Sequence, residues 1–407
     1  MSRERRFRVA VRRFDPFESA IRRQWQAFEE TEQTGLELEA EPFDLHPLSE
    51  TLFEREGMRR GDWDVAFLNT DWVALAHDTG AALDLAPHIR RNPPEGYPEA
   101  WPPSLLRLQQ FGDTILGLPY HDGPECLIYR RDLFEEPAEQ EAHRRRFGVP
   151  LQVPKTWDEF QRTARFFCRP ERNLHGTVFA ALPDGHNTVY DFCLQLWTRG
   201  GELFDGSGAL RLNTPEAARA LEYYRTMLND GSAVHPRSRE LDSVASGLAF
   251  AEGEVAMMVN WFGFGSMAET IAGSRVKGKV GIAPIPSDPG APSTSLNIYW
   301  ILAVAAGSPH AGTAYRFVRH CAGAAMDKLL TLEGAIGCRK STWSDPEVNA
   351  EVPFYHRLDE IHARARELPR LVHWPEVAKT IDQLVLAAMN TDRPAPELLR
   401  EAQNGLD

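Results

Sequence analysis

The 407-residue sequence has few cysteines and lacks the motifs by which many enzymes are recognised. Its five cysteines, Cys126, Cys168, Cys193, Cys321 and Cys338, are odd in number and widely spaced, and no two form a C-x-x-C pair. This pattern argues against a zinc site or a redox dithiol, so we expect free, mostly buried thiols. The sequence also lacks a G-x-S-x-G elbow, a P-loop, an H-E-x-x-H motif, an EF-hand loop and a G-x-G-x-x-G after the first strand. We therefore expect no cofactor and no bound metal.

Two acidic pairs and one histidine pair deserve a test as catalytic or metal groups. Asp122 with Glu125, or Glu252 with Glu254, could be imagined as glycosidase carboxylates, but closeness in sequence says nothing about separation across a sugar. Hydrogen bonding or surface exposure explains such pairs more simply. The histidines of "HRLDEIH" at 356–362 are six residues apart and fall on different faces of a helix, so we do not predict a metal site there.

Basic residues are fewer than acidic residues, and the sequence has no long apolar run. Lys and Arg number 45 against 58 Asp and Glu, which gives a formal net charge of -13. This balance argues against a nucleic-acid partner or an anionic membrane surface, because both attract a dense basic surface. No stretch approaches the ~20 apolar residues of a membrane span. The start, "MSRERRFRVAV", has no apolar stretch behind its basic residues, so the chain as given is expected to carry no export signal.

The length and the order of apolar segments predict an α/β protein with two lobes. A chain of 407 residues exceeds what one core usually supports. Residues 7–11 and the buried run 65–68 read as strands, and 36–43 alternates like a strand with one wetter face. Between them, Phe17, Ile21, Trp25 and Phe28 recur at helical spacing. Alternating strands and helices favour a parallel sheet covered by helices.

The middle of the chain, roughly 155–250, reads as mostly helical, between strand-rich stretches near 115–129 and 255–261. Thr156 followed by Glu159 forms the pattern of a capping box. Thr214 before Pro215 is likewise typical of a helix start. We therefore predict helices that begin directly after Thr156 and Thr214.

Four segments place polar and aromatic residues next to predicted strands: "LNTDW", "PYHDGPE", "VNWFGFGS" and "NIYW". Ligands of open α/β sheets bind beyond the carboxyl ends of strands, where three of these segments are expected. Amides, carboxylates and flat rings together suit a sugar, whose hydroxyls need donors and acceptors while its C–H faces stack on rings. The alternative is that Trp72 and Trp300 pack in the core or in an interface.

Six segments in the same order resemble the extracellular solute-binding proteins, family 1, that serve ABC importers of carbohydrates. They are "WDVAFLNTDWVALAHDTGAALDLAPHI" at 63–89, "GLPYHDGPECLIYRRDLFEE" at 117–136, "VPKTWDEFQRTA", "FAEGEVAMMVN", "VGIAPIPSDPG" and "EGAIGCRKST". The resemblance implies a two-lobe periplasmic-binding-protein-like fold (type II). Each lobe would have a mostly parallel sheet flanked by helices, with a ligand cleft between the lobes.

The resemblance also implies domain boundaries. The first lobe would comprise residues 1–117 and 263–309, and the second 118–262 and 310–407. Hinge crossings would lie near 117–121, 255–262 and 300–312.

The ligand-binding residues that follow from the motifs and from the resemblance come from both implied lobes. Two departures from the family pattern matter. "Asn-Ile-Tyr" at 297–299 stands where glycines are usual and would narrow the cleft, which bears on the size of the ligand, and the missing leader bears on the compartment. The full predicted set is Phe14, Asp15, Asn69, Asp71, Trp72, Tyr120, His121, Asp122, Glu125, His186, Asn187, Asn260, Trp261, Asn297, Tyr299, Trp300 and Arg339.

The resemblance predicts a non-enzymatic protein that captures a carbohydrate or related polar solute and presents it to the membrane subunits of an ABC importer. The competing hypothesis is an enzyme, or a cytoplasmic ligand sensor, built on the same scaffold. We expect a monomer with a small-molecule partner. Its compartment would be periplasmic or otherwise extracytoplasmic by resemblance, or cytoplasmic if Met1 is the native start.

Overall fold

The computed structural model describes residues 5–406 and divides them into two compact units of mixed α/β structure. Unit 1 comprises the chain up to Gly123 together with Asn297–His362 and Glu367–Val372. Unit 2 comprises Pro124–Leu296, Ala363–Arg366 and the chain from His373 onward. The lobe boundaries and hinge crossings implied by the resemblance stay a prediction beside this division.

The strands of both units are short, and most lie in two sheets. In chain order they are β1 (Arg6–Arg12), β2 (Glu37–Phe43), β3 (Val65–Asn69), β4 (Gln110–Phe111), β5 (Thr114–Ile115), β6 (Leu118–His121), β7 (Glu125–Arg130), β8 (His175–Val178), β9 (Val255–Trp261), β10 (Val280–Ala283), β11 (Ser295–Leu296), β12 (Trp300–Val304) and β13 (Ala365–Arg366).

The α-helices follow or separate these strands. They are α1 (Asp15–Glu32), α2 (Leu45–Ser49), α3 (Val73–Asp78), α4 (Ala86–Arg91), α5 (Arg131–Glu135), α6 (Pro137–Phe147), α7 (Trp157–Phe167), α8 (Asn187–Trp197), α9 (Pro215–Leu228), α10 (Ser243–Ala251), α11 (Phe262–Thr270), α12 (Ala311–Cys321), α13 (Ala324–Leu332), α14 (Lys340–Trp343), α15 (Pro346–Glu351), α16 (Leu358–His362), α17 (Trp374–Asn390) and α18 (Ala395–Asn404).

Unit 1 is built on a five-stranded sheet with the order β2-β1-β3-β12-β6. β1 pairs in parallel with β2 and β3, whereas β12 runs antiparallel to β3 and β6. β3 is buried along its whole length, as the apolar run predicts. β2 was predicted to alternate between a buried and a wet face, but it is the edge strand and none of its residues is fully buried. The sheet is therefore mixed, and its carboxyl edge also receives the start of β12.

Helix α1 covers the unit 1 sheet with the face that the sequence periodicity predicts. Phe17, Ile21, Trp25 and Phe28 are all buried. The Trp25 ring stacks on Phe7 of β1 at a centroid distance of 4.5 Å. Burial of side chains of this size stabilises a fold by roughly 1.5–3 kcal/mol each. This packing fixes the start of α1, and with it the loop that carries Phe14 and Asp15, against the sheet.

Unit 2 is built on a four-stranded sheet with the order β10-β7-β9-β8. β7 runs antiparallel to both β10 and β9, and β8 pairs in parallel with β9, so this sheet is mixed rather than mostly parallel. The sheet is mixed because β7 starts at the edge where β9 ends, so that Glu125 lies opposite Trp261. Helices α8, α9, α17 and α18 pack against one another beside the sheet.

Both predicted helix starts of unit 2 are confirmed. The Thr156 side chain accepts from the Glu159 backbone, and the Glu159 side chain closes the capping box at the start of α7. Thr214 caps α9 by accepting from the backbone of Ala217. None of the five cysteines forms a disulfide within residues 5–406, and four of them are buried. Among the helices of residues 5–406, none is long and apolar enough to cross a membrane.

Candidate functional site

The carboxyl edge of the unit 1 sheet gathers several of the predicted residues. Trp300, the first residue of β12, lies opposite both Asn69 at the end of β3 and His121 at the end of β6. β1 ends two residues before Phe14, which is 37 % exposed. The parallel strands and the antiparallel β12 therefore bring these segments to one edge, as the position of the motifs predicts.

Five rings form an aromatic cluster at this edge: Phe14, Phe17, Trp72, His121 and Trp300. Trp72 meets Trp300 edge to face at 5.8 Å and 90°. Phe17 contacts His121 at 4.8 Å, Phe14 at 5.0 Å and Trp300 at 6.4 Å. Phe17 is buried while Trp72 and Trp300 are only partly buried, so the buried ring supports the Trp300 indole from behind. Such partly covered rings can stack on an apolar face of a ligand.

His121 is held as a neutral ring in this cluster. Its Nδ1 accepts a hydrogen bond of 3.0 Å from the backbone N–H of Ile336, so Nδ1 carries no hydrogen. Removal of water from around the ring lowers the pKa of His121 to about 4, and the charge of Asp122 opposes this shift. At neutral pH the ring is therefore uncharged, and its Nε2 carries the hydrogen and can act as a donor.

The loop after β3 sets the position of Trp72. The Asn69 side chain accepts from the backbone N–H of Asp71 at 3.0 Å, which closes a turn of the Asx type. Thr70 is tied to the segment before β12, since its N–H donates to the Tyr299 carbonyl and its hydroxyl accepts from the Tyr299 N–H. Asp71 is partly exposed, and its carboxylate can act as a hydroxyl acceptor. Asp15 is exposed at the start of α1.

Three predicted ligand residues lie in the interior of unit 1 with their polar groups already engaged. The Tyr120 hydroxyl donates to Gln24 Oε1 at 2.9 Å, and the Tyr299 hydroxyl to Gln109 Oε1 at 2.6 Å. Arg339 is 4 % exposed, and it lies over the Trp101 ring at 4.6 Å. Its two terminal nitrogens donate to backbone carbonyls, those of residues 322 and 95. These contacts anchor Arg339 in the packing around Trp101.

Asp122 and Asn297 are buried beyond the ends of β6 and β12. Asp122 Oδ2 accepts from His362 Nε2 at 2.6 Å, whereas Oδ1 is buried and has no hydrogen-bond partner in residues 5–406. Asn297 is fully buried, and neither atom of its amide is hydrogen-bonded within the described chain. Buried polar atoms are nearly always hydrogen-bonded in folded proteins. The Asp122 carboxylate and the Asn297 amide can therefore form hydrogen bonds with a polar ligand at this end of β6 and β12.

The unit 2 sheet presents a smaller group of predicted residues around Trp261. Trp261 ends β9 opposite Glu125, and its partly buried indole meets the Tyr190 ring edge to face at 5.7 Å and 85°. Tyr190 in turn contacts the His186 ring at 6.0 Å. His186 and Asn187 open α8, where the Asp184 carboxylate accepts from both of their backbone N–H groups at 2.9 Å.

Carboxyl groups of unit 2 near Trp261 have shifted pKa values. Burial raises the pKa of Glu125 well above its ordinary range, and the neighbouring charge of Asp191 raises it further. Loss of hydration raises the pKa of Asp191 to about 7, against a hydrogen bond of 2.7 Å from the Tyr224 hydroxyl that favours its charged form. Glu125 Oε2 has no hydrogen-bond partner within residues 5–406. A protonated Glu125 can donate as well as accept, which suits a hydroxyl group.

Asn260, predicted as a ligand residue, uses its side chain within unit 2. Its amide nitrogen donates to the Ser243 carbonyl at 3.0 Å and to the Ser246 hydroxyl at 3.1 Å. Its amide oxygen accepts from the backbone N–H of Trp261 at 2.8 Å. Asn260 therefore fixes the backbone from which the Trp261 ring projects.

Four residues near these groups were not predicted: Phe17, Tyr190, Asp191 and His362. Phe17 was assigned to the core face of α1, and Tyr190 and Asp191 lie within a helix whose sequence carries no ligand motif. His362 reaches Asp122 across 240 positions of the chain, a distance that a single sequence does not reveal. Over the range 5–406 the structure contains no group of three His, Cys, Asp or Glu side chains that could hold a metal ion.

Comparison with known proteins gives one family match. The sequence profile of the bacterial extracellular solute-binding proteins matches residues 16–328. A probable ABC transporter-binding protein of Deinococcus radiodurans is 26 % identical over 321 residues, which cover 78 % of this chain and 72 % of that protein. A putative binding protein of Brucella abortus is 24 % identical over 229 residues, 56 % of this chain and 50 % of its own length.

Solved structures share the fold over nearly the whole chain. Maltose-bound MalE3 of T. maritima superimposes with a TM-score of 0.85 at 22 % identity, covering 98 % of both chains. A solute-binding protein of Agrobacterium radiobacter K84 in complex with ribitol gives a TM-score of 0.85 at 24 % identity, covering 98 % of this chain and 97 % of its own. One of Agrobacterium vitis S4 with bound D-mannitol gives 0.82 at 16 %, with 98 % and 96 % covered.

Proposed function

The chain belongs to the family of bacterial extracellular solute-binding proteins, and we propose that its solute is an uncharged carbohydrate or polyol. Members of this family bind small-molecule solutes for ABC importers and are not enzymes, and the same holds for this chain. The chemistry of the side chains described above determines which class of solute can bind.

The aromatic cluster of unit 1 is the observation that carries the proposal. The partly exposed indoles of Trp72 and Trp300 stand perpendicular to each other at 5.8 Å. A sugar or polyol can lay a C–H face on one ring while its hydroxyls reach polar neighbours. Polar groups at the same sheet edge are the neutral His121 ring, which can donate, and the Asp71 carboxylate, which can accept. Trp261 of unit 2 offers a further ring of the same kind, with Glu125 opposite it in the sheet.

Charge favours a neutral solute over an anionic one. Asp71, Asp122, Glu125 and Asp191 are all acidic. An anion close to an ionised carboxylate would be repelled, and one close to Glu125 or Asp191 would raise their pKa values further. Arg339, the basic residue predicted for an anionic ligand, donates instead to two backbone carbonyls and stacks on an indole. The solved relatives named for maltose, ribitol and D-mannitol support the same solute class, since each of these compounds is uncharged.

A thermal-shift screen tests this proposal. Maltose, ribitol and D-mannitol represent neutral solutes, and gluconate and glucose 6-phosphate represent anionic ones. We expect saturable stabilisation by at least one neutral compound, because a ligand that binds only the folded state raises its melting temperature by mass action. We expect no stabilisation by the anionic compounds, and little change in neutral-solute affinity with added salt. Stabilisation by the anions alone would contradict the proposal.

We further propose that the protein acts as a monomer outside the cytoplasm, where importers of this kind collect solutes. The family description supports the extracytoplasmic location. Light scattering coupled to size exclusion would test the first point, with an expected mass close to the chain mass of 45.9 kDa. A dimer that persists on dilution would contradict it.

A further inference from the structure

Unit 1 contains a buried chain of three polar side chains: Ser104, His362 and Asp122. Ser104 Oγ lies 2.9 Å from His362 Nδ1, and His362 Nε2 lies 2.6 Å from Asp122 Oδ2. All three residues are nearly inaccessible, at 6 %, 7 % and 2 % exposure. The family match and the sequence motifs assign no role to Ser104 or His362.

The hydrogen positions in this chain follow from what each group can do. An ionised carboxylate only accepts, so the hydrogen between His362 and Asp122 belongs to Nε2. A serine hydroxyl can donate as well as accept, so Ser104 pairs with Nδ1 when Nε2 carries the hydrogen toward Asp122. The indole of Trp343 stacks on the imidazole at 4.8 Å with an interplanar angle of 11°. The ring is therefore fixed both in its plane and across its face.

Asp122 is held from a second side through its backbone. Its N–H donates to the Ile336 carbonyl at 2.9 Å, and the Ile336 N–H donates to the neighbouring His121 at 3.0 Å. With the backbone and Oδ2 both anchored, the direction of Oδ1 is fixed as well. Oδ1 is the carboxylate oxygen that has no partner among residues 5–406.

We propose that His362, held between Ser104 and Asp122, is a positioning residue that aims Asp122 Oδ1 at a hydroxyl of the solute. The inference rests on the proposed function. A buried carboxylate oxygen without a donor is unfavourable, and a solute hydroxyl would supply that donor. Asn297, whose amide is also buried and unpaired within the described chain, lies beyond the same end of the β6 and β12 pair. A hydroxyl that donates to a carboxylate can also accept from an amide, so both residues suit the same kind of ligand.

Two substitutions of His362 separate positioning from packing. His362→Gln keeps a nitrogen donor near the place of Nε2, whereas His362→Asn keeps one near the place of Nδ1 and leaves Asp122 without its donor. Both variants lose the stacking on Trp343. We expect His362→Gln to retain affinity within about threefold and His362→Asn to lose about tenfold or more, since charge-assisted hydrogen bonds are among the strong ones. Affinity is measured by calorimetry with whichever of maltose, ribitol and D-mannitol binds the unmodified protein.

Ser104→Ala provides a milder test that keeps the partner of Asp122. Without the hydroxyl, Nδ1 loses its partner, while Nε2 keeps its hydrogen because the carboxylate only accepts. We therefore expect affinity within about threefold of the unmodified protein, with a small change in the melting temperature of the free protein.

The outcomes separate this inference from the proposed function. If the unmodified protein binds a probe, and if Ser104→Ala and both His362 variants bind it as well as the unmodified protein does, then His362 only packs and the inference is overturned while the function stands. If the unmodified protein binds none of the three probes, the proposed function fails and the positioning role fails with it. A small loss of affinity for His362→Gln together with a larger loss for His362→Asn supports the inference.

Discussion

Replacing Trp261 by alanine should weaken solute binding without unfolding unit 2. Trp261 ends β9, and its indole is partly exposed and meets the Tyr190 ring edge to face. If a solute covers roughly 60 Å² of the ring, at about 25 cal/mol per Å², the ring contributes about 1.5 kcal/mol. The matching apolar face of the solute adds a similar amount at most, so the total is about 1.5–3 kcal/mol. Affinity should therefore fall about tenfold to a hundredfold.

The assay measures two quantities on the same variant: affinity by calorimetry and the melting temperature of the free protein. Trp261→Phe serves as a matched variant that keeps a smaller ring, and it should lose less affinity than Trp261→Ala. The Asn260 side chain holds the backbone of residue 261 in place, so the free variant should melt close to the unmodified protein. An unchanged affinity together with a melting temperature several degrees lower would refute the reasoning, because it would mean that the ring only packs.

Three further predictions concern stability. Thr156→Ala should cost about 1 kcal/mol in urea unfolding because it removes the side-chain cap of α7, and an unchanged midpoint would contradict the cap's role. Gly337→Ala should destabilise unit 1 by more than about 1 kcal/mol, since a Cβ there would lie 2.5 Å from the Asp327 carboxylate; normal stability would show that the loop yields. The pKa of His121 is lowered to about 4, so its contribution to stability is present above pH 6.5 and is lost as the pH falls toward 4. The His121→Gln variant should accordingly lose less stability than the unmodified protein over that window, and an equal loss would contradict the assignment.

Much of the local structure could be predicted because it depends on neighbours in sequence. The buried face of α1, the apolar β3 and the caps at Thr156 and Thr214 follow from periodicity and from contacts within four residues. β8 was missed because a four-residue strand inside a mostly helical stretch carries little periodic signal. The antiparallel direction of β7 and β12 makes both sheets mixed, and it depends on the edge at which the chain enters each sheet.

The sequence predicts which types of residue gather at the candidate site better than it predicts the role of each residue. Trp72, His121 and Trp300 meet at one sheet edge because strand ends converge there, a rule that a sequence can use. The role of Arg339 was not visible, because its carbonyl partners lie 17 and 244 positions away. His362 was considered for a metal and set aside, and its contact with Asp122 depends entirely on the fold.

The central claim is that the protein binds an uncharged carbohydrate or polyol, and the most direct test is a competition among candidate solutes. The purified protein is incubated with an equimolar mixture of neutral sugars, polyols, sugar acids and sugar phosphates, freed of unbound compounds, and denatured, and the released compounds are identified by mass spectrometry. We predict that an intact, uncharged carbohydrate or polyol is recovered at close to one molecule per chain. Recovery of an anionic compound, or of a chemically altered product, would contradict the account.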